Sequence, residues 1–284
     1  MIHAECYRRR CQTARALDGE RQPKFVPIIH ADEDSSVAAC SHASVAGEMP
    51  MGLAFARALP CWCDSEPTTD AMKDRTMKLY YATGTCSLSP HIVANEAGIP
   101  LELVRVDIRK SPHVTEAGSD YSAVNPNGYV PALALDDGTV LTEGTAIVQY
   151  LADLKPESRL VPPAGTPQRV ELQSWLNFIA TELHKMFSPW LFHPEYGAQA
   201  GDVARAKIAE RLASVELHLA AGRPFLLGEN FTAADAYLFT IVGWSNFAKV
   251  DLSNFPYLRD FMARVEARPA VQQTMRAERI KVSA

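Results

Sequence analysis

The sequence predicts an α+β domain with a mixed four-stranded sheet, followed by an all-α domain. Three observations lead to this prediction. Residues 77–154 show strand and helix patterns in the order βαβα and then ββα. Residues 155–167 contain four prolines and one glycine, a composition typical of a linker. Residues 168–284 then carry helical patterns and no convincing strand.

The first 76 residues form a separate case, because they show no sustained helix or strand periodicity. Polar clusters such as HADEDSS and CDSEPTTD interrupt residues 1–76, and the pattern strengthens abruptly at Met77. Three interpretations compete: a disordered tail, an upstream stretch included by a wrong start codon, and a regulatory arm. The first two are favoured, since Met77 has the pattern of a natural start.

The predicted α+β domain opens with a βαβα unit. Residues 78–83 are short and rich in tyrosine, which suits a buried strand, and residues 90–97 begin with a proline and end before a glycine, as a helix does. Residues 101–107 alternate apolar and polar side chains and predict a second strand. A weaker pattern predicts a helix over residues 113–124.

The second half of this domain predicts a hairpin and a helix. Residues 131–135 and 139–142 are strand-like, and the Asp-Asp-Gly between them suits the hairpin turn. Residues 143–154 have apolar side chains at helical spacing. In the all-α domain, helical patterns cover residues 168–187, 202–221, 233–246 and 257–268, with a shorter one after Pro269.

Composition and charge exclude several classes of protein. The chain of 284 residues has a net charge of −5, which gives no basic surface for nucleic acid. Its longest apolar stretch, near residues 236–242, is too short to span a bilayer. Five of the six cysteines precede Met77, so the body of the chain cannot form an internal disulfide, and we expect a cytoplasmic protein. Cys61-x-Cys63 has no matching second pair, and we expect no metal site there.

Cys86 is the first candidate for chemistry. It lies between the first predicted strand and the first predicted helix, among the polar residues Thr85, Ser87 and Ser89. The N–H groups and the dipole at a helix N-terminus favour a thiolate, so this geometry lowers the pKa of a cysteine. The alternative is that Cys86 is a small buried apolar side chain.

Two further motifs suggest how a ligand binds near Cys86. Val130-Pro131 precedes a strand and is a candidate cis peptide, which leaves the Val130 backbone to pair with an extended peptide; a trans proline that merely starts the strand is the alternative. Glu143-Gly144 opens a helix whose free N–H groups can bind a carboxylate, although Glu143 can also simply complement the dipole. A thiol, a peptide backbone and an amino-acid end together suggest glutathione.

Asp235 has the spacing of a capping residue. It lies three residues after Thr232, so the two side chains can form a capping box at the start of a helix. A catalytic role for this carboxylate is the alternative, and the structural role is favoured.

Five motifs in order give the chain a strong resemblance to the bacterial beta-class glutathione S-transferases. The resemblance runs from Met77 to near Ile280, and residues 1–76 have no counterpart in it. It implies a thioredoxin-like N-terminal domain, a helical C-terminal domain and a homodimer. The motifs are MKLYYATGTCSLSPHIV, NPNGYVPAL, LTEGTAIVQYLADL, WLNFIATELHK and FTAADAYLFT.

The resemblance also implies roles for the three motifs. Cys86 matches the family cysteine that lies against the glutathione sulfur and can form a mixed disulfide with it. Val130, before a cis Pro131, matches the backbone clamp on the cysteinyl unit. Glu143 and Gly144 match the γ-glutamyl site, where many relatives in the wider superfamily have serine in place of Gly144.

Further binding residues are implied on the first helix of the second domain. Asn177, Thr181, His184 and Lys185 match positions that face the cleft, and their spacing places them on one face of an α-helix. His184 is the candidate for a polar group near the sulfur; a surface or capping histidine is the alternative. Family members also use a lysine after the second strand, and Lys110 is the candidate, in a loop longer than usual.

The function implied is a glutathione transferase that conjugates the glutathione thiolate to small hydrophobic electrophiles, as in xenobiotic detoxification. Glutathione would be the co-substrate, without a metal, and an apolar wall for the electrophile is expected from Trp175, Phe178, Phe187 and Trp190. Alternatives are a glutaredoxin-like thiol transferase acting through Cys86, a glutathione-dependent dehalogenase, and a non-enzymatic binder of glutathione or hydrophobic ligands. No nucleic acid or membrane partner is expected.

Overall fold

A computed structural model describes residues 76–281 of the chain. The predicted N-terminal extension, residues 1–76, therefore lies outside the described residues apart from Thr76. The described residues divide into a sheet-bearing first part and a helical second part.

Within these residues, five strands form one mixed sheet in the order β3-β2-β1-β4-β5. Strand β1 lies at the centre, parallel to β2 and antiparallel to β4. Strand β5 pairs antiparallel with β4 and forms that edge of the sheet. The four predicted strands are confirmed, and β3 is an addition at the edge beside β2. The strands are β1 (Met77–Tyr81), β2 (Leu101–Asp107), β3 (Val114–Thr115), β4 (Ala132–Ala134) and β5 (Val140–Thr142).

The helix predicted over residues 113–124 is wrong. Strand β3 occupies its start and a single 3-10 turn, Tyr121–Ala123, its end. Between them Gly118 has a φ of +85°, which is incompatible with a continuing α-helix. Asp120 then caps the turn by accepting a hydrogen bond from the Ser122 N–H at 2.8 Å. The local turn chemistry thus prevailed over a weak helical pattern.

The other predicted helices of both parts are present. The one predicted over residues 168–187 is an α-helix that passes through a π-helical segment, Ile179–His184, before resuming. The helices are α1 (Leu88–Glu96), α2 (Gly144–Asp153), α3 (Pro167–Phe178), α4 (Lys185–Phe187), α5 (Ala198–Ala220), α6 (Ala233–Val242), α7 (Ser245–Ala248), α8 (Pro256–Glu266) and α9 (Pro269–Ala277).

Helix α1 is the element around which both parts pack. It contacts α2 in the first part and α6 and α9 in the second. Every residue from Leu88 to Ala94 is buried, which explains why α1 is not amphipathic: it has no solvent-facing side over these two turns. The sheet and the helices share one hydrophobic core, so the predicted linker and domain boundaries (77–154, 155–167 and 168–284) stay predictions.

Asp235 anchors the start of α6. The capping box with Thr232 is present, as predicted. Its Oδ2 accepts hydrogen bonds from the Thr232 N–H at 2.8 Å and the Thr232 hydroxyl at 2.7 Å. Its Oδ1 accepts a third, unpredicted bond from the Leu226 N–H at 2.8 Å. Full burial raises the pKa of Asp235 to about 6 even though these bonds favour the carboxylate.

Replacing this carboxylate should cost more than an ordinary helix cap. Asp235→Ala leaves the buried N–H groups of Leu226 and Thr232 without an acceptor, so we expect the free energy of unfolding to fall by about 2–5 kcal/mol. Urea denaturation followed by circular dichroism measures this. Asp251→Ala is the control, because Asp251 accepts a similar bond from the Ser253 N–H at the surface. Equal midpoints for the two variants would contradict the prediction.

Candidate active site

Cys86 lies in the turn between β1 and α1, as predicted, and is partly buried. Its thiol donates a hydrogen bond to the Val130 carbonyl oxygen, with an Sγ to oxygen distance of 3.2 Å. Two motifs that lie 44 residues apart in the sequence are thus in direct contact.

The turn that carries Cys86 is held by its own side chains. The Thr85 hydroxyl and the Ser87 hydroxyl lie 2.8 Å apart, and both contact the backbone of Ala82. Ser87 is fully buried. The polar flanks of Cys86 therefore build the turn rather than expose the thiol to solvent.

Burial raises the pKa of the Cys86 thiol to about 12. The backbone N–H groups of Cys86 and Ser87 and the charge of Lys185 act in the opposite direction, while Glu143 adds to the rise. The helix N-terminus favours a thiolate as expected, but in the chain without a ligand desolvation outweighs it, so the expected lowering of the pKa is not found. Because their charges act on the thiol, Lys185 and Glu143 lie near the sulfur.

The Val130-Pro131 peptide bond is cis, as predicted. Tyr129 precedes this pair and is held through its backbone carbonyl. That carbonyl accepts hydrogen bonds from the Tyr121 hydroxyl at 2.9 Å and from the Asn125 amide at 2.7 Å. Within residues 76–281, the Val130 N–H donates to no protein acceptor. This edge of the site can pair with a peptide backbone.

Glu143 and Gly144 begin α2 beside this edge. Glu143 has φ 67° and ψ 112°, a sparsely populated conformation for a residue with a side chain, and such residues cluster at functional sites. A Cβ on Gly144 would lie 3.7 Å from Pro131 Cγ, an ordinary contact, so the fold itself would accept serine there. The exposed Glu143 side chain and the α2 N-terminus thus adjoin the cis-proline turn.

The four candidates on the first helix of the second part lie around the π-helical segment. Asn177 lies shortly before it, Thr181 and His184 belong to it, and Lys185 follows it. The Thr181 hydroxyl donates to the Asn177 carbonyl at 2.9 Å. The π geometry differs from the α-helix on which the spacing argument rested, and such segments are frequent at functional sites. Asn177, Thr181 and Lys185 are exposed.

His184 is neutral and forms a hydrogen bond with Tyr237. Burial and the nearby Lys185 lower its pKa to about 4. Its Nδ1 lies 2.6 Å from the hydroxyl of Tyr237, and burial raises the pKa of that hydroxyl, which keeps its proton. The tautomer of His184 decides which of the two groups donates in this bond. In either tautomer the neutral ring carries one N–H donor and one acceptor nitrogen.

Lys110 stands apart from the other candidates. Its ammonium lies 3.9 Å from the carboxylate of Asp107, and its side chain is exposed. The hydrogen bonds and ion pairs within the described part of the chain join it to Asp107 and not to the Cys86 site. Its role in ligand binding stays a prediction.

The predicted apolar wall is partly wrong. Phe187 is fully buried in the core and cannot face a ligand. Trp175 and Phe178 pack on each other at a ring distance of 5.7 Å, and Trp190 is half exposed. The aromatic ring nearest His184 along this side belongs instead to Trp244, at 5.0 Å, which Phe192 then contacts.

Sequence reasoning missed the long-range partners of the site. Trp244 donates its indole N–H to the Gly84 carbonyl at 2.8 Å, and Glu278 accepts from the Gly84 N–H at 3.1 Å. Tyr237, which forms a hydrogen bond with His184, lies within the FTAADAYLFT motif. The sequence therefore marked this region, although not the contact itself. Nothing local marks Trp244 or Glu278.

Two structural features bear on the class of site. Among residues 76–281, no three His, Cys, Asp or Glu side chains come together in a way that suits a metal ion. None of the helices described combines the length and hydrophobicity needed to cross a membrane.

Comparison with known proteins places this geometry in one family. The family model for the glutathione S-transferase N-terminal domain matches residues 83–154, and that for the C-terminal domain matches residues 178–269. Glutathione S-transferase GstA of Escherichia coli O157:H7 is 45% identical over 205 residues, covering 72% of this chain and 100% of GstA. Glutathione S-transferase GST-4.5 of Xanthomonas campestris is 36% identical over 208 residues, covering 71% and 98%.

Solved structures agree. A glutathione transferase from Methylococcus capsulatus has a TM-score of 0.69 and 51% identity, covering 72% of this chain and 98% of its own. A sphingomonad glutathione S-transferase complexed with glutathione has a TM-score of 0.68 and 40% identity, covering 72% and 100%. A beta-class enzyme from Sphingomonas chungbukensis has a TM-score of 0.67 and 39% identity, covering 71% and 98%.

The raised pKa of Cys86 predicts slow thiol chemistry in the unliganded chain. Alkylation by iodoacetamide, followed at the Cys86 peptide by mass spectrometry, should quicken about tenfold per pH unit from about pH 7 to about pH 9 without levelling off, because the thiolate stays a minor species. A synthetic peptide of residues 83–91 is the control and should level off near an ordinary cysteine pKa of about 8.5. A plateau at that pH in the folded chain would contradict the prediction.

Proposed function

The chain belongs to the glutathione S-transferase family and is an enzyme of that class, with a thioredoxin-like first part and a helical second part; we propose that it conjugates glutathione to small hydrophobic electrophiles through the Cys86 site. The observation that carries this is the contact between Cys86 Sγ and the Val130 carbonyl. It joins the thiol position to the peptide-pairing edge, and Glu143 and Lys185 lie near the same sulfur.

Each part of glutathione has a matching group in this arrangement. Its cysteinyl backbone would pair with the Val130 N–H and carbonyl, as an added strand does. Its γ-glutamyl carboxylate would bind the N–H groups at the start of α2, with Glu143 receiving the ammonium. Asn177 and Thr181 would contact the ligand from the helical part. The sphingomonad relative, whose structure is a complex with glutathione, supports this assignment.

The chemistry proposed is thiol activation followed by nucleophilic attack. The N–H groups of Cys86 and Ser87 and the charge of Lys185 already act to lower the pKa of a sulfur at this position. A glutathione sulfur placed beside Cys86, toward the open side of the site, would be acted on by the same groups, which would lower its pKa and let its proton pass to water. Its thiolate would then form a bond to an electrophilic carbon, while the leaving group departs with the bonding electrons. His184 would stabilise the sulfur or the leaving group by donating a hydrogen bond from its ring N–H.

Thiol-disulfide exchange is the second candidate, because Cys86 is a free thiol at the centre of the site. Its sulfur, once deprotonated, would attack glutathione disulfide; a Cys86–glutathione bond forms, the original S–S bond breaks, and one glutathione leaves as a thiolate. The pKa of about 12 slows this step in the unliganded chain. Dehalogenation would be the conjugating attack with a halide as leaving group, and a binding protein without turnover is the non-enzymatic alternative.

A single substitution separates these functions. Cys86→Ala should abolish reduction of a glutathione mixed disulfide, since the attacking sulfur is gone. Conjugation to an activated chloroarene should persist within about tenfold of wild type, because the attacking thiol belongs to glutathione. Cys86→Ser is the control for side-chain polarity. Loss of both activities with glutathione binding retained would make the Cys86 thiol essential to activation, and wild type that binds no glutathione would overturn the proposal.

The enzyme is proposed to act in the cytoplasm as a homodimer. A lone cysteine in the described residues suits a reducing compartment. Large apolar side chains stand exposed on the described surface, among them Tyr129, Leu217 and Phe247, and apolar exposure is common where copies of a chain associate.

Sedimentation equilibrium tests the dimer. The chain has a mass of 31.2 kDa, so a dimer should sediment at about twice that value. Because binding between copies depends on concentration, the measured mass should fall toward that of one chain on dilution. A mass of one chain at all concentrations would show that the dimer does not form.

A further inference from the structure

The turn that carries Cys86 is held from the helical part of the chain by two hydrogen bonds to one residue. Gly84 donates its N–H to Glu278 Oε2 at 3.1 Å and accepts from the Trp244 indole N–H at 2.8 Å. Gly84 is two residues before Cys86, and its φ of +69° sets the direction of the turn. Both backbone groups of this glycine are therefore fixed by partners outside the sheet.

The carboxylate of Glu278 is itself held firmly. It is 1% exposed, and its second oxygen lies 3.0 Å from the Nδ1 of His91, a buried residue of α1. The backbone of Glu278 continues the end of α9 by donating to the Thr274 carbonyl at 3.0 Å. A buried carboxylate needs such partners, and here one of them is the backbone of the catalytic turn.

We propose that Glu278 is a positioning residue for the glutathione reaction: by holding the Gly84 N–H, it keeps Cys86 Sγ against the Val130 carbonyl and the N–H groups of Cys86 and Ser87 where the sulfur of glutathione binds. This inference rests on the proposed function. It assigns the end of α9, distant from Cys86 in sequence, a part in thiol activation.

Other bonds join the same helices without reaching the turn. The Asn95 amide donates to the Thr274 hydroxyl at 2.7 Å, and Arg268 pairs with Glu96 through two bonds at 2.6 and 2.8 Å. These contacts hold α1 to the α8–α9 region whether or not Glu278 is present. Glu278 differs from them because its Oε2 is bonded to Gly84 rather than to α1.

The test compares Glu278→Ala, Glu278→Gln and Asn95→Ala in the full chain. Glutamine keeps an acceptor for the Gly84 N–H, and its amide N–H donates to His91 Nδ1 once that ring takes its other tautomer. Asn95→Ala removes a bond between α1 and α9 and leaves the turn untouched. Two readouts are measured at neutral pH: the rate at which iodoacetamide alkylates Cys86, followed by peptide mass spectrometry, and the KM and kcat for glutathione conjugation.

Glu278→Ala should quicken Cys86 alkylation about tenfold, because a loosened turn exposes the thiol and lowers its pKa. It should also raise the KM for glutathione about tenfold or more, since misplaced groups bind the ligand poorly. Glu278→Gln should restore both values to near wild type, and Asn95→Ala should leave both unchanged while lowering the melting temperature. Glu278→Met, which fills the volume without an acceptor, replaces the alanine variant if that one does not fold.

The outcomes separate the two proposals. Wild type that does not react with glutathione overturns the proposed function, and the alkylation rates still test the positioning role. An active wild type in which Glu278→Ala and Asn95→Ala change the alkylation rate equally overturns the positioning role alone, because Glu278 then acts only through stability.

Discussion

The packing of α1 against α2 in the first part and against α6 and α9 in the second sets the position of the turn that carries Cys86. Seven consecutive residues of this helix, from Leu88 to Ala94, are buried, so none of these neighbours can be removed without exposing its apolar surface. Cys86 lies directly before this helix. The packing of both parts of the chain therefore fixes the position of the Cys86 sulfur. In that position the sulfur contacts the Val130 carbonyl oxygen at 3.2 Å.

Burial also decides the protonation of the site. It keeps the Cys86 thiol protonated, with a pKa of about 12, against the opposing charge of Lys185. Together with Lys185, it keeps His184 neutral, with a pKa of about 4. The unliganded site thus holds few charges of its own. In such a region of low dielectric, the N–H groups of Cys86 and Ser87 interact strongly with any negative charge that a ligand sulfur develops. The desolvation that disfavours a Cys86 thiolate strengthens the donors that would stabilise the thiolate of glutathione.

Local pattern predicted the parts of this structure that local chemistry determines. The strands other than β3, the start of α1 beside Cys86, and the Thr232–Asp235 capping box all follow from periodicity and caps within a few residues. The helix predicted over residues 113–124 failed because turn-forming residues prevailed. The hydrogen bonds to Gly84 could not be predicted from local sequence patterns, because Trp244 and Glu278 lie 160 and 194 residues away in the chain. The high pKa of the Cys86 thiol was missed for a related reason, because the sequence shows a helix end but not the burial around it.

The division of labour between the two parts follows from these contacts. In the proposed function, the sheet-bearing part would supply the groups that recognise a peptide, namely the Val130 backbone and the start of α2. The helical part would supply the groups that act on the sulfur: the charge of Lys185, the ring N–H of His184, and the bonds from Glu278 and Trp244 to the turn. The two sets are held together by the packing of α1 against α6 and α9. In the proposed reaction, recognition of the ligand and activation of its thiol would therefore be coupled through this buried helix, and a change in the helical part would alter thiol chemistry without touching a ligand-binding residue.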